Sequence, residues 1–240
     1  MLQNFQRRIA EKSSDAQART VIIAALGDSV TASAAAEGEY LHDRVYHAQL
    51  QRLLEKRYSQ CLFSTVNAGI SGMNTAGGLQ FLERDVLPLQ PDLLLIAFGL
   101  NDVSGGLEML DDYKDALQKL VSTARVAGIA DIILLTPNFM PTRATDNIPT
   151  KWRHLTNRFI ELQTGGTLAA YAAAMREVGA SHNVPVADVY AAWEALERGG
   201  TDTTSWLANG LNHPDARGHQ LAARVVFDVI MQQEGDFSEP

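Results

Sequence analysis

Residues 21–26 (VIIAAL) and 93–98 (LLLIAF) are unbroken apolar runs, and each is cut off at once by a glycine, Gly27 and Gly99. A strand with one wet face alternates apolar and polar side chains. A run without alternation belongs to a strand covered on both faces, as in a parallel sheet held between helical layers. This constraint governs how the rest of the chain is read.

Further strand candidates are 61–67 (CLFSTVN), closed by Ala68-Gly69, and 131–136 (DIILLT), closed by Pro137. Residues 184–188 (VPVAD) form a fifth, and Pro185 suits it to a sheet edge. Helical patterns lie between and after these runs. Tyr46, Leu50, Leu53 and Leu54 mark a helix over 43–58, and a second is expected over 75–86. Leu110, Tyr113, Leu117, Leu120, Val121 and Ala124 trace one face of a third, ended by Gly128. A fourth covers 168–182, and Leu221, Val225 and Val229, with Ala222, Val226 and Ile230, mark the last. Strand and helix thus alternate through βαβ units, which predicts an α/β protein with an open parallel sheet. No linker or composition break divides residues 1–240, so a single domain is expected. Residues 1–18 read as a polar N-terminal extension. Residues 138–164 read as a long irregular loop, and its Phe139, Met140, Arg143, Trp152, Arg153 and His154 suit a site rim.

Composition narrows the function. Apolar residues make up 46% of the 240, which fits a packed globular chain and not a disordered one. The formal net charge of −8 would repel phosphate backbones and anionic lipid, so nucleic acid and membrane surfaces are poor partners. Residues 1–20 contain no apolar signal core, and the longest apolar runs fall far short of the roughly 20 residues that span a bilayer. A soluble, cytoplasmic protein is the expectation. The lone Cys61 excludes an internal disulfide, no Cys/His cluster suggests a metal, and no glycine-rich phosphate loop suggests a nucleotide cofactor.

Ligands of open α/β sheets bind beyond the carboxyl ends of the strands, so the residues just after each strand carry the chemistry. Gly27-Asp28-Ser29 comes after the first, Asn67-Ala68-Gly69-Ile70-Ser71-Gly72 after the second, and Gly99-Leu100-Asn101-Asp102 after the third. Asn212-His213-Pro214 precedes the last helix. A serine hydroxyl needs a base to become a nucleophile, and His213 is the candidate. An oxyanion needs preorganised donors, which the backbone N–H groups of Ser29 and Gly69 and the amide of Asn101 would supply. Asp28 reads as a structural partner of loop amides, His219 as packed on the last helix, and His42 and His47 as solvated or rim residues.

In these motifs the chain resembles the SGNH (GDSL-type) hydrolases. GDSVTAS, NAGISG, GLNDV and LNHPDARGH match that family's four blocks in order, with Ser29, Gly69, Asn101 and His213 at the functional positions. The resemblance implies a flavodoxin-like three-layer α/β/α sandwich with five parallel strands, and esterase or lipase activity without cofactor or metal. One departure stands out. The family commonly carries an aspartate three residues before the histidine, and Gly210 occupies that place here. With a one-residue insertion Asn209 aligns instead; Asp202, a backbone carbonyl, or no third member are the other possibilities. The expected function is a serine esterase working through an acyl-enzyme on Ser29, with acetyl esters of carbohydrates or similar small molecules as the leading substrates. Homo-oligomerisation stays open. The alternatives are a lysophospholipase or acyl-thioesterase, and an inert binding module that keeps the fold.

Overall fold

Each apolar run is a strand in the computed structural model, which describes residues 2–233. The strands are β1 (Val21–Gly27), β2 (Phe63–Gly69), β3 (Leu93–Ala97), β4 (Ile132–Leu135) and β5 (Val186–Ala187). They form one fully parallel sheet in the order β2-β1-β3-β4-β5. Leu93 to Ile96 and Ile132 to Leu135 are all buried, because both faces of these inner strands are covered. The edge strand β2 exposes Ser64 and Asn67 and follows no continuous run. Pro185 lies beside β5, at the other edge.

Helices cover both faces. On one side α2 (Tyr46–Arg57) packs against α8 (Ala216–Gln232), which also meets α7 (Val189–Arg198). On the other, α4 (Leu110–Val126) packs against α6 (Thr167–Ser181), with α3 (Gly78–Phe81) and α5 (Thr156–Thr164) beside them. This is the three-layer α/β/α arrangement of the SGNH hydrolases. Among the described residues no helix is long and apolar enough to cross a membrane.

Several expectations need correction. Within the expected polar extension of residues 1–18, residues 3–14 form a helix, α1 (Gln3–Ser14), which buries Phe5 and Ile9, together with the preceding Leu2. Their i, i+3, i+7 spacing is a helical face hidden by polar neighbours. The Phe5 N–H also donates to the Asp131 carboxylate at 2.6 Å. Residues 138–164 are not one irregular loop, because a 3₁₀ segment at Thr150–Leu155 leads directly into α5. That stretch buries few side chains, so it lacks an apolar stripe. The helix expected over 75–86 is regular only at Gly78–Phe81 and then widens into a π-turn at Leu82–Val86. Helix α7, with its fully buried Trp193, adds to the predicted elements.

The largest correction concerns His47. It is buried, not solvated, and its Nε2–H donates to the Thr31 carbonyl at 3.1 Å. His219 on α8 is fully buried against the Tyr46 ring, with no hydrogen-bond partner for either nitrogen among the described residues. Burial lowers the pKa of His47 to about 4 and of His219 to about 3. The unfolded chain protonates both near pH 6.5, so it takes up protons that the fold refuses, and stability drops as pH falls below that value. Asp28 acts oppositely. Burial raises its carboxyl to about 7, so the folded state keeps a proton that the unfolded chain releases above about pH 3.9. Each group changes stability by about 1.4 kcal/mol per pH unit between its two pKa values. Denaturant unfolding at pH 6 and pH 4.5 should therefore show the His219→Phe variant losing about 1.4 kcal/mol per pH unit less than the parent protein. Equal pH slopes for the two proteins would mean that His219 is not held neutral by the fold.

Candidate active site

In a sheet ordered β2-β1-β3-β4-β5 the chain turns one way from β1 and the other from β3, which opens a crevice at their carboxyl ends. Ser29 follows β1, Ser71 and Gly72 follow β2, and Asn101 follows β3. All four, with His213, line a cavity of about 500 Å³.

The turn carrying Ser29 is held from several sides. The Asp28 carboxyl accepts the Val30 N–H at 2.9 Å, as expected of a structural acid. From α2, Tyr46 hydroxyl meets Thr31 Oγ1 at 3.1 Å, and His47 holds the Thr31 carbonyl. A Cβ on Gly69 would lie 2.1 Å from the Ala32 backbone nitrogen, so only glycine lets this turn rest on the end of β2.

The structure brings Ser29 and His213 together across 184 residues. Ser29 Oγ lies 2.9 Å from His213 Nε2. On the far side of the ring, Nδ1 lies 2.9 Å from the Ala35 main-chain oxygen. A carbonyl can only accept, so Nδ1 carries the hydrogen, and in the neutral ring Nε2 is the bare nitrogen facing the serine hydroxyl. The pKa of His213 is lowered, chiefly by burial, with the Ala35 carbonyl opposing the shift.

Neither expected acid candidate reaches this ring. Asp202 is exposed and ion-paired with Arg143. Asn209 is buried, and its Oδ1 accepts the N–H groups of Leu211, Asn212 and His213, each at 3.0 Å. It shapes the histidine loop and leaves the imidazole alone. An aspartate three residues before His213 has no room: Gly210 has φ +68°, and a Cβ there would sit 2.6 Å from Ile148 Cγ1. The Ala208 N–H to His213 carbonyl bond (2.8 Å) closes the loop, and Asn138 Nδ2 braces it through the Asn212 carbonyl at 3.1 Å.

The donors for an oxyanion are also placed differently from expectation. Gly69 does not line the cavity, and its N–H donates to Asn67 Oδ1 at 2.9 Å. Gly72 does line it, with φ +76° and open space where a Cβ would stand. Among the described residues the N–H groups of Ser29 and Gly72 have no hydrogen-bond acceptor. Asn101 uses one amide hydrogen on the Met73 carbonyl at 2.9 Å, which leaves the other for the cavity. Asp102 ties the same two loops together by accepting the Thr75 N–H at 2.9 Å. The motif offers two glycines, and spacing alone does not choose between them. Ala35 left no signal at all, since any residue has a carbonyl.

A serine bonded to a tautomer-fixed histidine, beside unengaged N–H donors, is equipped for acyl transfer. Among the described residues no group of three or more His, Cys, Asp or Glu side chains could hold a metal ion.

Among curated protein sequences no relative matches the chain. Among solved structures, a catalytic mutant of the acetylxylan esterase Axe2 from Geobacillus stearothermophilus superposes with a TM-score of 0.67 at 24% identity, covering 88% of this chain and 94% of that one. The lipase/acylhydrolase from Enterococcus faecalis gives 0.67 at 24% identity, over 89% and 97%. LAE5, an α/β hydrolase from the metagenome of Lake Arreo, Spain, gives 0.66 at 24%, over 90% and 99%. At such identities the likeness is one of fold. Residues 25–221 match the GDSL-like Lipase/Acylhydrolase family. The chain belongs to that family, the SGNH or GDSL-type hydrolases, and is a carboxylic ester hydrolase.

Proposed function

We propose that this enzyme cleaves short acyl esters, acetyl above all, of carbohydrates or similar small molecules through an acyl-enzyme on Ser29. The observation that carries the mechanism is the Ser29 Oγ to His213 Nε2 contact of 2.9 Å, with Nδ1 engaged by Ala35. His213 takes the hydroxyl proton as Ser29 attacks the ester carbonyl. The negative oxygen of the tetrahedral intermediate is met by the N–H groups of Ser29 and Gly72 and the free amide hydrogen of Asn101. His213 then gives its proton to the leaving alcohol, and afterwards activates the water that releases the acid. Gly72 replaces Gly69 in this scheme, and the Ala35 carbonyl stands where an aspartate would.

Support for a small acyl group and a sugar is of two kinds. Solved structures of similar fold include acetylxylan esterases. The cavity mouth also carries Tyr40 and Trp152, 53% and 42% exposed, and exposed aromatic faces of this sort suit the apolar faces of sugar rings. Leu155, Phe159 and Leu211 line the same cavity and favour the lipolytic alternative if they hold the acyl group. Chromogenic esters from acetyl to palmitoyl separate the two. Rates confined to acetyl and propionyl support the proposal, and a maximum at eight carbons or more overturns its substrate. Ser29→Ala should abolish turnover and labelling by a fluorophosphonate, while retained turnover in pure protein would exclude the acyl-enzyme.

Loss of one oxyanion donor costs about 2.7–4 kcal/mol, so Asn101→Ala should lower kcat by about 10²–10³ with KM nearly unchanged. A change in KM alone would place Asn101 in ground-state binding.

Because His213 must be neutral to act, kcat/KM should rise with pH through a limb lying below the ordinary histidine value of about 6.5. Asp202→Ala should leave that limb unmoved. Asn209→Ala leaves three backbone N–H groups without their acceptor, at about 1–3 kcal/mol for each one left buried, so its melting temperature should fall sharply. A stable Asn209→Ala protein with a shifted pH limb would return Asn209 to the imidazole.

A further inference from the structure

The hairpin at residues 33–41 supplies the Ala35 carbonyl and is closed by three backbone bonds of its own. Leu41 N–H donates to the Ser33 carbonyl (2.8 Å), Ala35 N–H to the Glu39 carbonyl (3.0 Å), and Glu39 N–H to the Ala36 carbonyl (3.1 Å). Gly38 turns its tip at φ +76°, with open space around it. At its base the Ala34 N–H donates to the Ser29 carbonyl at 2.9 Å. At its ends the Ser33 N–H also donates to the Val30 carbonyl (3.1 Å), Ser33 Oγ meets His42 Nδ1 at 3.3 Å, and the Leu41 carbonyl accepts the Arg44 and Val45 N–H groups (2.7 and 2.8 Å). Between those ends, two polar links tie residues 35–40 to the rest of the molecule among the described residues. One is the Ala35 carbonyl accepting from His213 Nδ1. The other is an ion pair between Glu37 and Lys151, which stands on the 3₁₀ segment Thr150–Leu155. Glu37, Lys151, Ala35 and His213 all line the active-site cavity.

We propose that Glu37 and Lys151 are positioning residues: their ion pair holds the 33–41 hairpin in the form in which the Ala35 carbonyl engages His213 Nδ1. A carboxylate side chain would be fixed by its own rotamer and partners. A carbonyl goes wherever its peptide goes, so a serine–histidine pair oriented by a main-chain oxygen depends on the tether of that segment. Without the ion pair the hairpin has one polar link across the cavity, the bond to the imidazole itself. That bond must then hold both the ring and the hairpin. Both partners of the ion pair are about half exposed, 54% each, so it shifts an equilibrium by about fivefold at most and is sensitive to salt. The consequence is a modest loss of turnover, because only the population with a correctly oriented imidazole reacts.

The kinetic test rests on the esterase reading above. It uses 4-nitrophenyl acetate, chosen because a small substrate makes few contacts at the mouth. Glu37→Gln and Lys151→Met should each lower kcat about two- to fivefold with KM within twofold. The charge-swapped double variant Glu37→Lys/Lys151→Glu should recover most of the loss. Raising salt from 20 to 500 mM should lower kcat of the parent enzyme and leave Glu37→Gln flat. A second readout needs no turnover. The His213 Nδ1–H proton, observed by NMR on ¹⁵N-histidine protein, should exchange with water faster in both single variants. If the parent protein cleaves esters while Glu37→Gln keeps parental kcat and proton exchange, the proposal is overturned. A change in KM alone, or in melting temperature alone, overturns it too, since a rim contact or a plain stability role would do the same. If the parent cleaves no ester but the proton exchange responds as stated, the function is wrong and the tether stands.

Discussion

In the proposed mechanism, activation of Ser29 depends on which nitrogen of one imidazole is bare, and in this protein a peptide oxygen decides that. With Nδ1–H spent on the Ala35 carbonyl, Nε2 faces the serine hydroxyl as an acceptor. A carbonyl fixes the tautomer as well as a carboxylate does. It brings only a partial charge, however, so it stabilises the imidazolium less and costs less to bury. The base is correspondingly weaker when protonation is needed and more readily neutral when it must accept a proton. That balance agrees with a histidine whose pKa burial has lowered.

The same economy of charge runs through the layers beneath the site. Burial holds His47 and His219 neutral and raises the carboxyl of Asp28, next to Ser29, to about 7. Tyr46 and His47 reach from α2 to the Ser29 turn, and α2 is itself seated on α8 through the Tyr46–His219 stack. The Ser29 turn is thus coupled to helix packing by groups that the proposed steps never use. Small residues make the fit possible. Gly69 allows the turn to lie on β2, and Gly210 allows the histidine loop to pass Ile148, which is the physical reason the family's aspartate cannot simply be restored at that position.

What the sequence determined by itself is the set of features encoded by local pattern. Unbroken apolar runs placed the inner strands, β1, β3 and β4, because burial on both faces leaves that signature and the short length and the Gly or Pro stops set it apart from a buried helix. The four ordered motifs placed Ser29, Asn101 and His213 on strand-end loops that the sheet gathers into one cavity. Amphipathic faces placed α4, α6 and α8. Tertiary structure decided the rest. The helix of residues 3–14 hides its Phe5–Ile9 face among polar neighbours, and the one at 156–164 buries only Thr156, Leu162 and Gln163 and shows no stripe. Which glycine N–H stays unengaged, that of Gly72 and not that of Gly69, followed from the Asn67 side chain taking the latter. The histidine's partner was out of reach of any reading of side chains, because it is a main-chain oxygen 178 residues away, brought there by the path of the chain and not by the identity of Ala35.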